Sequence, residues 1–331
     1  MKKIINRPET VVQEMLNGMA TAHPELVRVE GFNVLIRKEK KESKIALISG
    51  GGSGHEPAHG GFVGYGMLDA AVSGEVFTSP TPDHILEAVK AVDTGKGVLF
   101  IIKNYSGDVM NFEMAAEMAE MEGIAVEKVI VNDDVAVENS TYTTGRRGIA
   151  GTVFVHKTAG AMAERGASLE EVKRVAQKAV SSVRSKGMAL SSCIVPSAGK
   201  ATFSLAEDEM EIGLGIHGEP GVEKTKIKTA DEIACNLFES IVEDLAFKAG
   251  EETVLLVNGL GATPLMELYI LNNSVQELCR KKGIKVFKTY VGEYMTSLEM
   301  AGASLSLLKL DKELKDLIKA PADTPAFKQG G

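Results

Sequence analysis

The sequence predicts an α/β protein of two α/β domains. The first, over residues 1–185, is built on a doubly wound, mostly parallel sheet. The second, over residues 186–331, is built on a mixed sheet with helices. Three observations predict this. Short, unbroken aliphatic runs alternate with longer helical patterns through the first half, as expected of strands covered on both faces. Beyond about residue 185 the texture changes, and Met210, Ile212, Leu214 and Ile216 alternate along one stretch, the pattern of a half-exposed or antiparallel strand. The chain has 331 residues, 44% hydrophobic and 25% charged, which is ordinary globular composition and enough chain for two cores.

Taken in order, residues 45–49, 97–102 and 128–131 are continuous apolar runs and read as buried strands. The spacing predicts helices near 83–92, 111–122 and 150–164 between and after them. Thr81-Pro82 is a helix start, a capping hydroxyl followed by Pro at the first helical position. Ser168-Leu-Glu-Glu171 is a capping box opening a long helix that should end near Gly187. Residues 188–195 then read as a strand, followed by the alternating strand over 208–216. Thr229-Ala-Asp-Glu232 is a second capping box, leading a helix to about Lys248. Strands near 253–258, 285–291 and 304–309 and a helix near 264–282 complete the second domain.

Charge and composition exclude several classes. The formal net charge is −8 with both signs interspersed, so there is no basic footprint for nucleic acid and no attraction to an anionic membrane. Cys193, Cys235 and Cys279 are far apart and form no CxxC pair, so neither a disulfide framework nor a cysteine zinc site is signalled. No signal-peptide h-region follows the first residues, and no apolar run approaches about 18 residues, so a cytoplasmic protein without a membrane span is expected.

Four loops could carry chemistry. Gly50-Gly-Gly-Ser-Gly-His-Glu-Pro57 directly follows a strand, where ligands bind in open α/β sheets. It fails the dinucleotide fingerprint at Glu56 and Pro57, the nucleophile elbow at His55, and the Walker A loop for want of a Lys. His55-Glu-Pro-Ala-His59 fits H-E-x-x-H in letters, but Pro57 would clash with the Ser53 carbonyl in a helix interior, so no metal is assigned and any helix should begin at about Glu56. Lys103-Asn-Tyr-Ser-Gly-Asp108 follows the next strand, and Asp108 there is either a helix N-cap or a general base. Asn132-Asp-Asp134 could bind a cation or cap a helix, and capping is favoured. Thr143-Thr-Gly-Arg-Arg-Gly148 could form an anion contact or a partner surface. In Glu211-Ile-Gly-Leu-Gly-Ile-His217, Gly213 and Gly215 would fall on one strand face and leave room for a ligand or another backbone. His217 would end that strand, as a structural or a functional histidine.

These motifs match a known pattern. The Gly50–Pro57 loop, Phe77-Thr-Ser-Pro-Thr-Pro82, Ile101-Ile-Lys-Asn-Tyr-Ser-Gly-Asp108, Tyr142-Thr-Thr-Gly-Arg-Arg-Gly148, Glu209-Met-Glu211 with Gly215-Ile-His-Gly-Glu-Pro-Gly221, and Gly259-Leu-Gly-Ala-Thr-Pro264 resemble, in family order, the K domain of dihydroxyacetone kinases. The resemblance covers essentially the whole chain. It implies that His217 adds to the carbonyl of dihydroxyacetone to give a hemiaminal. It implies that Asp108 and His55 flank the hydroxyl to be phosphorylated, and that Gly52, Ser53, Gly54 and Lys103 line the pocket.

One-chain, ATP-dependent members of the family continue into a helical nucleotide-binding domain. This sequence stops at Gly331 and has no P-loop or kinase signature, so it resembles the stand-alone subunit K. That resemblance implies a homodimer coupled to the phosphoenolpyruvate phosphotransferase system. A nucleotide-bearing kinase subunit L and a phosphotransferase subunit M would be its partners. No cofactor is expected in this chain, with ADP or ATP and Mg on the partner. Two rivals stand beside this reading. A non-catalytic paralogue acting as a transcriptional co-regulator could keep His217 and lose the base, whereas Asp108 and His55 are both present here. A phosphosugar- or nucleotide-binding module would take a phosphorylated ligand in the Gly50–Gly54 loop without an adduct.

Overall fold

Two six-stranded sheets organise the chain in a computed structural model that describes residues 2–39, 42, 44–138 and 145–330. Each sheet belongs to its own compact unit. One unit comprises Met1–Val131, Val155–Ala179 and Asp316–Gly331; the other comprises Asn132–Phe154 and Val180–Lys315. The units therefore interleave along the chain, whereas the sequence reading drew one cut at 185.

The first unit holds α1 (Val11–Ala22), β1 (Leu26–Arg28), β2 (Val34–Arg37), β3 (Ala46–Ser53), β4 (Ala70–Val76), α2 (Pro82–Val92), β5 (Val98–Lys103), α3 (Ser106–Met121) and β6 (Val126–Val131). The strand order is β1-β2-β4-β3-β5-β6. The pairs β4-β3, β3-β5 and β5-β6 are parallel, and β1 and β2 add an antiparallel edge. Every residue of β3 and β5 is buried, which is why both read as unbroken apolar runs. Ile48, Val72, Phe100 and Ile102 pack with Ile85, Val89, Phe112 and Ala115 from α2 and α3. Pro82 opens α2 as expected, but the Thr81 side chain makes no cap bond to the helix backbone.

The α4 helix (Thr152–Glu164) and α5 helix (Leu169–Ser182) follow, and the Ser168 capping box is present, with Ser168 N–H donating to Glu171 (3.0 Å) and Glu171 N–H to Ser168 Oγ (3.3 Å). The second sheet comprises β7 (Val183–Ala189), β8 (Glu209–Ile212), β9 (Glu223–Lys226), β10 (Glu252–Gly259), β11 (Lys285–Gly292) and β12 (Gly302–Leu310), in the order β11-β10-β12-β7-β8-β9. Only β10-β11 is parallel. Helices α6 (Ala230–Asp244) and α7 (Leu265–Lys282) cover it, Leu237, Phe238 and Ile241 packing with Leu255, Val257, Leu305 and Leu307. Thr229 and Glu232 form the second capping box. After β12 come α8 (Lys312–Lys319) and a two-residue pair, β13 (Ala322–Asp323) and β14 (Lys328–Gln329).

Three expected elements are redrawn, and of the strand expected over 188–195 only residues 188–189 are strand, as the end of β7. The helix expected to run to Gly187 stops at Ser182, because residues 183–189 pair antiparallel with β12 and are almost all buried, and that pairing outweighs local helix preference. The alternating strand shrinks to four residues, since Gly213 adopts φ +77° and turns the chain out of the sheet.

Candidate active site

The carboxyl end of β3 organises the functional part of the first unit. A Cβ on Gly52 would lie 2.6 Å from the Thr78 nitrogen and 2.7 Å from the Phe77 Cα, so only glycine lets the 77–78 backbone close over the strand. Phe77 itself takes φ +57°, a left-handed conformation unusual for a bulky residue. Its ring stacks on the fully buried His55 at 5.1 Å between centroids. Ser53 donates its hydroxyl to the Gly74 carbonyl (2.7 Å). The Gly54 N–H donates to the Glu56 carboxylate (3.0 Å), and burial raises the pKa of that carboxylate despite the bond.

Lys103 and Asp108 converge on the glycine run at the end of β3, which continues the strand to Ser53 where the sequence predicted a loop from Gly50. A Cβ on Gly51 would meet the Lys103 Nζ at 3.1 Å and the Asp108 Oδ2 at 3.5 Å. Lys103 ends β5 with no exposure, and Asp108 is 3% exposed. Asp108 is not an N-cap, because Tyr105 holds that position and Asp108 lies inside the first turn of α3, where a carboxylate suits the helix dipole. Its Oδ1 is buried and has no hydrogen-bond partner within the protein.

The H-E-x-x-H letters do not fold into a helix. Residues 55–59 form turns, and a short 3-10 helix starts only at Gly60, later than the expected start at Glu56. His55 faces Phe77, whereas His59 Nδ1 sits 3.0 Å from His156 Nε2. Burial and the Lys103 charge pull His156 down to about 3 and hold His59 well below its usual range, so both rings are neutral. Among the described residues no cluster of three or more His, Cys, Asp or Glu could hold a metal ion. Sequence reasoning missed the His59–His156 pair, whose members are 97 residues apart.

In the second unit, His217 lies beyond the end of β8, in a turn rather than at a strand end. Its ring Nδ1 is 2.7 Å from Glu219 Oε1, and its backbone N–H donates to Glu219 Oε2 at 2.9 Å. Burial would raise the Glu219 pKa, but the bonds and charge of His217 outweigh it and hold the carboxyl at about 2. A Cβ on Gly215 would stand 2.1 Å from Glu219 Oε2 and 2.7 Å from Arg147 Nη1, so a larger residue there would displace the ends of both side chains. Arg147 is fixed by Asp134 (2.7 Å) and by the Gly213 carbonyl (2.7 Å). Arg146 pairs with Asp244, so both arginines serve internal contacts. Thr143 and Thr144 of that motif, and Tyr142 before it, lie outside the described residues. Asp133 accepts from the Ile149 and Gly151 N–H groups (2.8 and 2.9 Å) just ahead of α4, so it braces the segment before the helix rather than capping the helix itself. Glu219, which contacts His217 at two points, is not among the sequence-predicted candidates, although a carboxylate two residues past a Gly-flanked histidine is a visible signal.

Residues 17–326 match the family model described as the Dak1 domain. The chain is 56% identical, over 99% of its length and 100% of the relative's, to the PTS-dependent dihydroxyacetone kinase 1, dihydroxyacetone-binding subunit DhaK, of Listeria innocua. It is 43% identical, over 100% of both chains, to the PEP-dependent dihydroxyacetone kinase, dihydroxyacetone-binding subunit DhaK, of Escherichia coli. Among solved structures it resembles the dihydroxyacetone kinase of C. freundii (TM-score 0.92, 35% identity, 99% of this chain and 60% of that one). It also resembles the dihydroxyacetone kinase operon co-activator Dha-DhaQ (TM-score 0.91, 39% identity, 96% of this chain and 98% of that one).

Proposed function

This chain belongs to the Dak1 domain family, and from that premise we propose that it is the dihydroxyacetone-binding subunit of a phosphotransferase-system-dependent dihydroxyacetone kinase. The observation that carries the site assignment is Asp108. A buried carboxylate oxygen without a partner is costly, and a substrate hydroxyl would satisfy it. Asp108 then serves as the general base for the hydroxyl that takes the phosphoryl group, with His55 as its hydrogen-bond partner. Gly52, Ser53, Gly54 and Lys103 line the substrate position. His217 adds to the ketone carbonyl, and the covalent bond fixes a small ligand that offers few other handles.

The phosphoryl donor is a separate nucleotide-bearing subunit L, recharged by a phosphotransferase subunit M, with nucleotide and Mg²⁺ on the former. The chain acts as a homodimer in the cytoplasm. The Gly50–Gly54 loop is poorly suited to a phosphate, because the Gly54 N–H is engaged by Glu56 and the backbone of 77–78 covers Gly52. That disfavours a phosphosugar- or nucleotide-binding module. The likeness to a co-activator favours a second reading, a regulatory dihydroxyacetone-binding protein. The 56% identity to a kinase subunit and the intact Asp108 and His55 favour the enzyme.

The test is carbon-13 spectroscopy with carbonyl-labelled dihydroxyacetone. The carbonyl signal should move to a tetrahedral shift on binding, and His217→Ala should abolish the change. An adduct that persists in the variant overturns the role of His217.

A further inference from the structure

Resting on the reading of His217 as the capturing residue, we propose that Glu219 is a positioning residue that fixes the His217 ring in the tautomer able to attack a carbonyl. A carboxylate can only accept hydrogen bonds, so the ring nitrogen 2.7 Å from Oε1 must be Nδ1–H, and in the singly protonated ring, the form able to attack, the lone pair then lies on Nε2. The second oxygen accepts the backbone N–H of the same residue at 2.9 Å. One side chain thus grips one residue at two points, fixing both its backbone and the direction of its ring. The low pKa of Glu219 keeps it an acceptor across the physiological range.

The grip is built into the turn. Gly215 provides the floor for the carboxylate and Arg147 lies against the same glycine, anchored by Asp134 and by the Gly213 carbonyl. A Cβ there would push the carboxylate out of its present place. The two glycines that resembled a cleared strand face therefore do separate jobs: Gly213 turns the chain, and Gly215 admits the positioning carboxylate.

The addition balances with Glu219 as a spectator anion. Nε2 forms a bond to the carbonyl carbon, the π pair moves onto oxygen, and that oxygen takes one proton from solvent. The ring becomes an imidazolium that keeps its Nδ1 proton in the bond to Glu219. An imidazolium–carboxylate pair replaces a neutral ring beside an anion, and the same carboxylate stabilises the charge that develops.

Glu219→Gln tests this sharply. Gln has one acceptor and one donor where Glu has two acceptors, so it can satisfy only one of the two contacts. If its amide N–H₂ faces the ring, Nδ1 must become the acceptor, the proton moves to Nε2, and the nucleophile is lost. Nitrogen-15 spectroscopy of histidine-labelled protein should show His217 protonated at Nδ1 in the native chain and not uniquely so in Glu219→Gln. Affinity for dihydroxyacetone, read from the tetrahedral carbon-13 signal, should fall roughly 10–100-fold, the loss a metal-ligating histidine shows when its orienting carboxylate is removed. Gly215→Ala should give the same spectral change by displacing the carboxylate. Thermal unfolding of each variant establishes that it is folded when measured. Native-like adduct formation in both folded Glu219→Gln and folded Gly215→Ala overturns the proposal. If His217→Ala still forms the adduct, it is the underlying reading that fails.

Discussion

His59 Nδ1 and His156 Nε2 face each other at 3.0 Å in the interior of the first unit, and His59 Nε2 and His156 Nδ1 are buried with no hydrogen-bond partner. Neither ring can take a proton without desolvating a charge beside Lys103. In the unfolded chain a histidine protonates near about pH 6.5. Below that pH the unfolded state binds more protons than the folded one, so stability is full above 6.5 and is lost as pH falls toward 3. Each ring contributes up to about 1.4 kcal/mol per pH unit in that window. Chemical denaturation between pH 7 and 5 should show this slope in the native chain and a shallower one in His156→Gln. Equal slopes would mean the pair is not held neutral.

Asp108→Asn separates chemistry from architecture. The residue lies inside the first turn of α3 and is not its cap, so the change should cost the helix little. The hemiaminal should still form, because His217 is untouched. Turnover with the nucleotide-bearing subunit should fall by roughly 10²–10⁴, the usual contribution of a general base. A rate close to that of the native chain would remove Asp108 from the proton transfer.

Phosphorylation should require the second subunit. Transfer from a nucleotide needs groups that cradle its phosphates and Mg²⁺. In the Gly-rich loop the Gly54 N–H that could contribute is bound to Glu56. Purified chain with dihydroxyacetone and Mg²⁺-ATP should therefore yield no dihydroxyacetone phosphate until the nucleotide-bearing subunit and its phosphoryl supply are added. Turnover by this chain alone, free of contaminating kinase, would contradict the assignment.

Thiol chemistry should single out one cysteine. Cys235 is exposed, Cys193 is buried, and burial pushes the Cys279 thiol up to about 12. A chromogenic disulfide reagent should titrate one fast thiol in the folded protein, lost in Cys235→Ser, and three after denaturation. A second fast thiol in the folded chain would show that one of the buried sites opens.

Where local chemistry sets local structure, the sequence was a sufficient guide. Thr229 with Glu232, and Ser168 with Glu171, form their capping boxes because all partners lie within one turn. Continuous apolar residues placed β3 and β5 in a buried sheet, because a strand covered on both faces leaves a direct compositional trace, but the Gly run read as a turn continues β3 to Ser53, paired with β4. The family motifs brought Asp108, Lys103, His55 and His217 into view as candidates.

What depended on distant residues could only be decided by the tertiary structure. Residues 183–189 are strand because β12 lies beside them, not because of their own preferences. The interleaving of the units follows from packing that brings residues 155–179 and 316–331 to the first and residues 132–154 to the second. His59 meets His156 across 97 positions, and Arg147 reaches Asp134 and the Gly213 carbonyl together. Glu219 is only two residues from His217, yet its role was hidden as well. Which way a side chain turns in a glycine-flanked turn is settled by what shares the space above Gly215, where Glu219 meets Arg147 from a distant part of the chain.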